Sequence, residues 1–486
     1  MSATQLPPSG AYIKSVSESS RRIREKAGIT VSRFIDSSTK FVQVSLTKDL
    51  RLHSLRTLLR GPMSSRTVPW AAATITSIII SASLRRLARI SQTAVKRLLF
   101  SPSFTTSYER LRDSHGMSLP LKFPSTLAEL NLLCVMSLLN FASGYRVPLH
   151  VATGRGAFDS IRAFVFTMYI TADAEGDYLS ARGMQRVEAG KIAELMGVAD
   201  KIHQEKDHES IPGLKVGQLG GPMWELVELI TKVLHETGDV LVRGGYLNLG
   251  VFVLEALKEG EKAKAKESSN PNASADVILE RLVRAIPAYQ DMAVIDGEPV
   301  YCFKKALLTI HAVAARFGTA SPPPFPLPPT SDLPVFSDNV LPSLLVHLGV
   351  IDLTTSHTAY GLTSIFADAS NSESIETLLA LPPPSSAETT ASGKKIKVVP
   401  KEGPILSTTQ AFVLRAAAID ACNLIVETAR NLSIEEITAL APEGAALAWI
   451  KDITLPGLDA WIWSVAKDRE DYRRLERFVL RGTPYF

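Results

Sequence analysis

The sequence predicts an all-α protein, and three observations carry that prediction. From about residue 125 onward, long stretches repeat apolar residues at helical spacing. Alternation of apolar and polar residues, the mark of a half-buried strand, is scarce. No unit of roughly 20–50 residues recurs, which removes the solenoid folds. With 45% hydrophobic and 21% charged residues over 486 positions, the composition is globular and the core material ample. A single large helical domain with loop insertions is the expected architecture.

Charge divides the chain. Residues 1–100 hold 17 Lys/Arg against 4 Asp/Glu, so the remainder nets about −9 within a total of +4. Residues 1–104 are therefore read as a basic N-terminal extension, partly helical or flexible, and residues 105–486 as the body. Within the extension, "VPWAAATITSIIISASL" (68–84) is the one membrane candidate. Five Ser/Thr and Pro69 leave it short of a convincing span, and Arg85, Arg86 and Arg89 follow it. A basic amphipathic or docking segment is expected there, with no transmembrane span. The Arg/Ser-rich start resembles mitochondrial leaders, but Glu18, Glu25 and Asp36 argue against that. Cys134, Cys302 and Cys422 form no CxxC pattern, so a reducing, cytoplasmic setting is expected.

The helices follow in order. "STLAELNLLCVMSLLNF" has Ser125 as N-cap and Glu129 near the first turn. Trp224–Glu236 and "DVILERLVRAI" after Ala275 are amphipathic. "TTQAFVLRAAAIDACNLIVETARN", opened by Thr408 or Thr409, is apolar nearly all round and so belongs in the core. Three breaks interrupt this pattern. Residues 259–275 read as a solvated loop, 321–334 with seven prolines as a stiff extended run, and 381–404 as a flexible insertion.

Motifs exclude more than they include. There is no Walker A loop, no GxSxG and no HExxH; "HETGD" (235–239) lacks a second ligand. The nine histidines are scattered, His208 reads as a loop residue, and His150 and His347 read as core residues. No metal and no cofactor is expected. "GQLGGP" and "GRGAF" follow no strand, so a dinucleotide cradle is not expected either. Carboxylates, amides, aromatics and lysines remain, a set suited to glycosidic-bond chemistry. "PVFSDNVLPSLLVHLGV" (334–350) places Asp338 and Asn339 at the mouth of an apolar helix. A helix cap and a catalytic carboxylate both explain them.

Six blocks in order resemble the queuosine salvage protein family, the queuosine 5′-phosphate N-glycosylases. They are "LLNFASGYRVPLH" (138–150), "YLSARGMQRVEAGKIAELMGV" (178–198), "CFKKALLTIHAVAARF" (302–317), "FSDNVLPSLLVHLGVI" (336–351), "LRAAAIDACNLIVE" (414–427) and "LDAWIWSVAKDREDYRRLERFVLRGTPYF" (458–486). The long basic leader and the insertions resemble a fungal-type member. Departures are "DAWIW" where the family often has "DYY"-like text, and Asn339 where it often has Tyr.

The resemblance implies an all-α fold related to helix-hairpin-helix DNA glycosylases. It implies hydrolysis of queuosine 5′-monophosphate to queuine and ribose 5-phosphate, without metal. Asp338 is the implied catalytic carboxylate, with Lys305 favoured over Lys304 as its partner or a phosphate contact. Asn140, Phe141, Tyr145, Arg146, Lys304, Phe336, Asn339, Asp459, Trp461 and Trp463 are the implied substrate contacts. Asp459 is expected to read the base edge, since a buried Asp needs a partner. The expected partners are the small-molecule nucleotide and queuine, with no stable nucleic-acid partner. The competing reading is a non-catalytic helical protein binding RNA or an acidic partner through residues 1–100.

Overall fold

The computed structural model describes residues 5–31, 94–113, 119–172, 176–208, 210–382, 399–441 and 446–486. In chain order the elements that matter here are α1 (Tyr12–Lys26), β1 (Thr30–Val31), α2 (Thr126–Leu138), α3 (Arg146–Thr153), α4 (Ala157–Ile170), β2 (His203–Asp207), β3 (Lys215–Leu219), α5 (Gly221–Arg243), α6 (Leu249–Lys266), α7 (Ala273–Ala285), β4 (Met292–Ile295), β5 (Glu298–Tyr301), α8 (Lys304–Phe317), α9 (Val340–His347), β6 (Ile351–Asp352), α10 (Thr408–Asn431) and α11 (Leu455–Asp468). The protein is mostly helical. Among the described residues the strands form three antiparallel pairs, β1–β6, β2–β3 and β4–β5. The β4–β5 turn is Asp296–Gly297, both at positive φ (48° and 82°), the Asp-Gly pair that tight hairpins favour.

Capping explains where the long helices begin. Ser125 accepts from the Ala128 N–H at the start of α2. Every residue from Leu130 to Leu138 is buried, so beyond its first turn α2 has no solvent face. The core helix α10 starts at a capping box formed by Ser407 and Gln410, one residue before the expected Thr408. Among the described residues α10 is long and apolar enough to cross a membrane. However, 83% of its apolar window is buried within the protein, as a core helix would be. The segment 68–84 lies outside the described residues.

Two expectations differ from the structure. Residues 259–275 are largely helical: α6 runs on to Lys266 and α7 opens at Ala273. Ala, Lys and Glu are good helix formers, and buried Gly260 keeps that turn against α7. The second concerns the N-terminal segment. Tyr12, Val16, Ile23 and Ala27 lie on one face of α1 and are fully or almost fully buried. That face packs on α10, α7 and β5. Arg24 Nε donates to Asp420 Oδ2 of α10 at 2.6 Å, both groups nearly enclosed, and Asp276 accepts from the Ile13 N–H at 2.8 Å. Val95, Leu98 and Leu99 are buried as well. Each such apolar side chain contributes about 1.5–3 kcal/mol. Residues 5–31 and 94–104 are thus built into the core, and a truncation at residue 100 would expose it.

Candidate active site

The amino ends of α8 and α9 meet the chain after α2, and there a carboxylate faces an ammonium. Lys304 Nζ lies 3.9 Å from Asp338 Oδ2, with both side chains nearly enclosed. It also donates to Asn140 O at 2.8 Å and to Asn140 Oδ1 at 3.3 Å. Burial pulls the Lys304 pKa below its ordinary value, and Asp338 opposes that pull.

The local backbone explains why Lys304, rather than its neighbour, faces Asp338. The carbonyl of Asp291 accepts from the N–H groups of Cys302 and Phe303 (3.0 and 3.2 Å). Its carboxylate accepts from the Lys304 N–H at 3.0 Å. Phe303 is bent into the left-handed region, φ +47°, a costly conformation for an aromatic residue. Adjacent helical side chains diverge by roughly 100°. Lys305 therefore points away, fully buried, with its Nζ 4.7 Å from the centre of the Phe141 ring. Among the described residues no hydrogen-bond partner reaches that Nζ. Burial, and then Lys304 beside it, hold its pKa well below the usual lysine range. The order of preference between the two lysines is thus reversed.

Residues 336–339 are fixed at every step. The Phe336 N–H donates to Asp459 Oδ2 at 2.6 Å, and Arg415 Nε donates to the Ser337 carbonyl at 2.8 Å. The Val340 N–H donates to Asp338 Oδ1 at 2.6 Å, and Asn339 Nδ2 donates to the Phe478 carbonyl at 2.9 Å. Asp338 thus does cap α9 with one oxygen while turning the other to Lys304. Asp459, expected at the base, holds the backbone that carries Asp338.

Beside this pair lies a cleft lined by Ser143, Gly144, Arg146, Val147, Asn339 and Arg477, with Lys401 to Gly403 across it. It is tight, with about 10 Å³ open to water centres, room for about one water. Its walls press together because two positions lack a side chain. A Cβ on Gly144 would sit 2.2 Å from the Leu480 carbonyl oxygen, and one on Gly403 2.1 Å from that of Arg477. Three buried polar atoms here have no partner among the described residues: Ser143 Oγ, Asn339 Oδ1 and Arg477 Nε. Burial, and then Arg146 nearby, lower the Arg477 pKa to about 9. Burial and Arg473 lower Arg146 to about 10.

The aromatic candidates separate. Trp461 is wholly buried, donates from Nε1 to Ser107 Oγ at 2.8 Å and packs edge-on against Phe104; it belongs to the core and not to the site. Trp463 is partly exposed, meets Phe158 edge-on and carries Lys467 Nζ 3.1 Å from a ring centre. Burial lowers the Lys467 pKa to about 7. Tyr145 accepts from the Gly482 N–H at 3.1 Å and so ties the cleft to the C-terminal segment. Phe336 packs beside His311.

Asp338, Lys304, Asn140, Asn339 and Arg146 are thus brought together. Asp291, Arg415, Arg477, Ser143 and Lys467 were missed by sequence reasoning. A lone Arg inside apolar "AFVLRAAAI" was the one visible signal, since an enclosed arginine needs a carboxylate. Among the described residues no three His, Cys, Asp or Glu side chains converge as a metal site.

The site is an enclosed acid–ammonium pair beside two arginines whose pKa values are lowered by burial, in a mostly helical protein. Residues 218–360 match the family model described as queuosine salvage protein. That match supports a relation to the queuosine salvage family and a role in queuosine salvage. The matched span holds Asp291, Lys304, Lys305, Phe336, Asp338 and Asn339, whereas Asn140, Arg146, Arg415, Asp459 and Arg477 lie outside it. No curated protein matches the chain.

Proposed function

We propose that this protein hydrolyses the N-glycosidic bond of queuosine 5′-monophosphate, releasing queuine and ribose 5-phosphate, on a fold related to the helix-hairpin-helix glycosylases. The observation that carries the reading is the Asp338–Lys304 pair set against a cleft with two arginines and three unpartnered polar atoms. A 7-deazapurine has carbon at position 7, so protonation there, the usual aid to purine departure, is closed. Stabilising positive charge at the sugar then carries more of the barrier.

Asp338 is assigned that task. Its contact with the Val340 N–H at the amino end of α9 fixes the position of the carboxylate. The carboxylate faces C1′ as charge develops and takes a proton from the attacking water. The water oxygen forms the new bond to C1′. The C1′–N bond breaks, its electron pair leaves with the base, and a proton then neutralises that base. Lys304, anchored on Asn140, holds the carboxylate in place and supplies the nearest ammonium. The 5′-phosphate is assigned to Arg146 and Arg477, with Ser143 Oγ donating to it. Admission of the nucleotide requires the cleft to open, because its present volume suits a single water.

The test is direct. Purified protein is incubated with queuosine 5′-monophosphate, and free queuine is measured by mass spectrometry. Stoichiometric release of queuine and ribose 5-phosphate supports the reading. No release by folded protein removes it.

A further inference from the structure

One buried ion pair touches both halves of the candidate active site without entering it. Arg415 and Asp291 are essentially sealed from solvent. The guanidinium grips the carboxylate with two parallel bonds, Nη1 to Oδ1 at 2.8 Å and Nη2 to Oδ2 at 2.5 Å. Its remaining edge, Nε, donates to the Ser337 carbonyl, one residue before Asp338. Ser337 Oγ returns a bond to the Arg415 carbonyl at 3.2 Å. At the other end, Asp291 accepts three successive backbone N–H groups, from Cys302, Phe303 and Lys304. Those three bonds hold the left-handed bend at Phe303 that turns Lys304 toward Asp338. The rings of Phe486 and Phe412 cover the guanidinium, 4.2 and 5.0 Å from its carbon.

Resting on the hydrolase reading above, we infer that Asp291 and Arg415 are positioning residues for that reaction. They set the distance between Asp338 and Lys304 by clamping the backbone of one to the backbone of the other. The two backbones come from segments distant in sequence. Among the described residues the other bonds at Ser337 and at the Lys304 N–H do not join them. A planar guanidinium is suited to this because its fork and its Nε lie in one plane and cannot bend independently. The catalytic groups are then spaced by a rigid unit that makes no contact with substrate.

A merely structural pair and a positioning pair give different results when both charges are removed together. Replacement of a buried pair by apolar residues of similar volume is commonly neutral or better for stability. The double variant Arg415→Met/Asp291→Leu is therefore expected to melt within a few degrees of the parent. It should retain KM within about 3-fold and lose about 10²-fold in kcat, the scale of an ångström of misplacement. Wild-type protein is assayed first: if it releases no queuine, the hydrolase reading fails and the positioning claim with it. If wild type is active and the folded double variant keeps its kcat, the positioning claim alone is overturned. Should the double variant not fold, Arg415→Lys decides. It keeps a cation against Asp291 but cannot also reach the Ser337 carbonyl, so a folded Arg415→Lys with parental kcat overturns the claim. A kcat loss at unchanged KM supports it.

Discussion

Two enclosed arginines, some way apart in the chain, stand in opposite electrostatic states. Arg415 has a carboxylate in its fork and a carbonyl on its Nε. Burial alone would lower its pKa, but Asp291 outweighs that and raises it. Among the described residues Arg477 meets the carbonyl of Ala466 while its Nε finds no partner, and its pKa is lowered. A desolvated cation without a counter-charge destabilises the fold unless something arrives to neutralise it. On the proposed reading the contrast separates scaffold from receptor: the satisfied arginine holds the site together, and the unsatisfied one takes the anion.

Four substitutions would break or sharpen that contrast. The largest effect on chemistry is expected from Asp338→Asn. Asparagine caps a helix about as well as aspartate, so the fold and ligand affinity should survive. Single-turnover rate should fall on the order of 10³-fold, the scale of losing a major electrostatic stabiliser; a normal rate would leave Asp338 as a cap only.

Arg415→Ala strands Asp291 in the core and should lower unfolding free energy by about 3–5 kcal/mol, measured by urea titration. A stability change below about 1 kcal/mol would show the scaffold assignment to be wrong. Arg477→Met, by contrast, should leave the melting temperature unchanged or raise it. Its cost should appear as a KM for the nucleotide increased by about 10- to 100-fold, equivalent to roughly 1.4–2.8 kcal/mol, with KM for the nucleoside unmoved. Equal effects on both substrates would remove the phosphate from this cleft.

The smallest effect is expected at Lys305, whose pKa is depressed by burial. The unfolded chain keeps this lysine protonated up to about pH 10.4, while the folded one does not, so unfolding takes up a proton in the window between the two values. Stability of the parent therefore rises with pH across that window, by at most about 1.4 kcal/mol per unit. Lys305→Met should be more stable than the parent at pH 7, with the gap closing toward pH 10 and turnover within a few-fold. A large loss of turnover would return Lys305 to the chemistry.

How much of this was legible depended on sequence distance. Asp338 could be read because its role is local: an acid, a helix start and a preceding proline run sit within one stretch. The choice between Lys304 and Lys305 could not be, since it hangs on a left-handed Phe303 held by Asp291, and adjacent lysines look alike in a sequence. Arg415 and Asp291 are 124 residues apart, and only folding shows that each answers the other's burial. The apolar spacing of α1 was present in the text. It was overlooked because the charge of the following sixty-odd residues dominated the count for the whole N-terminal hundred.

The pairing of Thr30 and Val31 with Asp352 and Ile351, together with the buried residues at 95–99, changes what kind of object the basic segment is. The chain is fastened just before residue 32 and again just after residue 93. A cut between those two anchors would leave both in place, because α1 and residues 95–99 are each held to the body by their own buried faces.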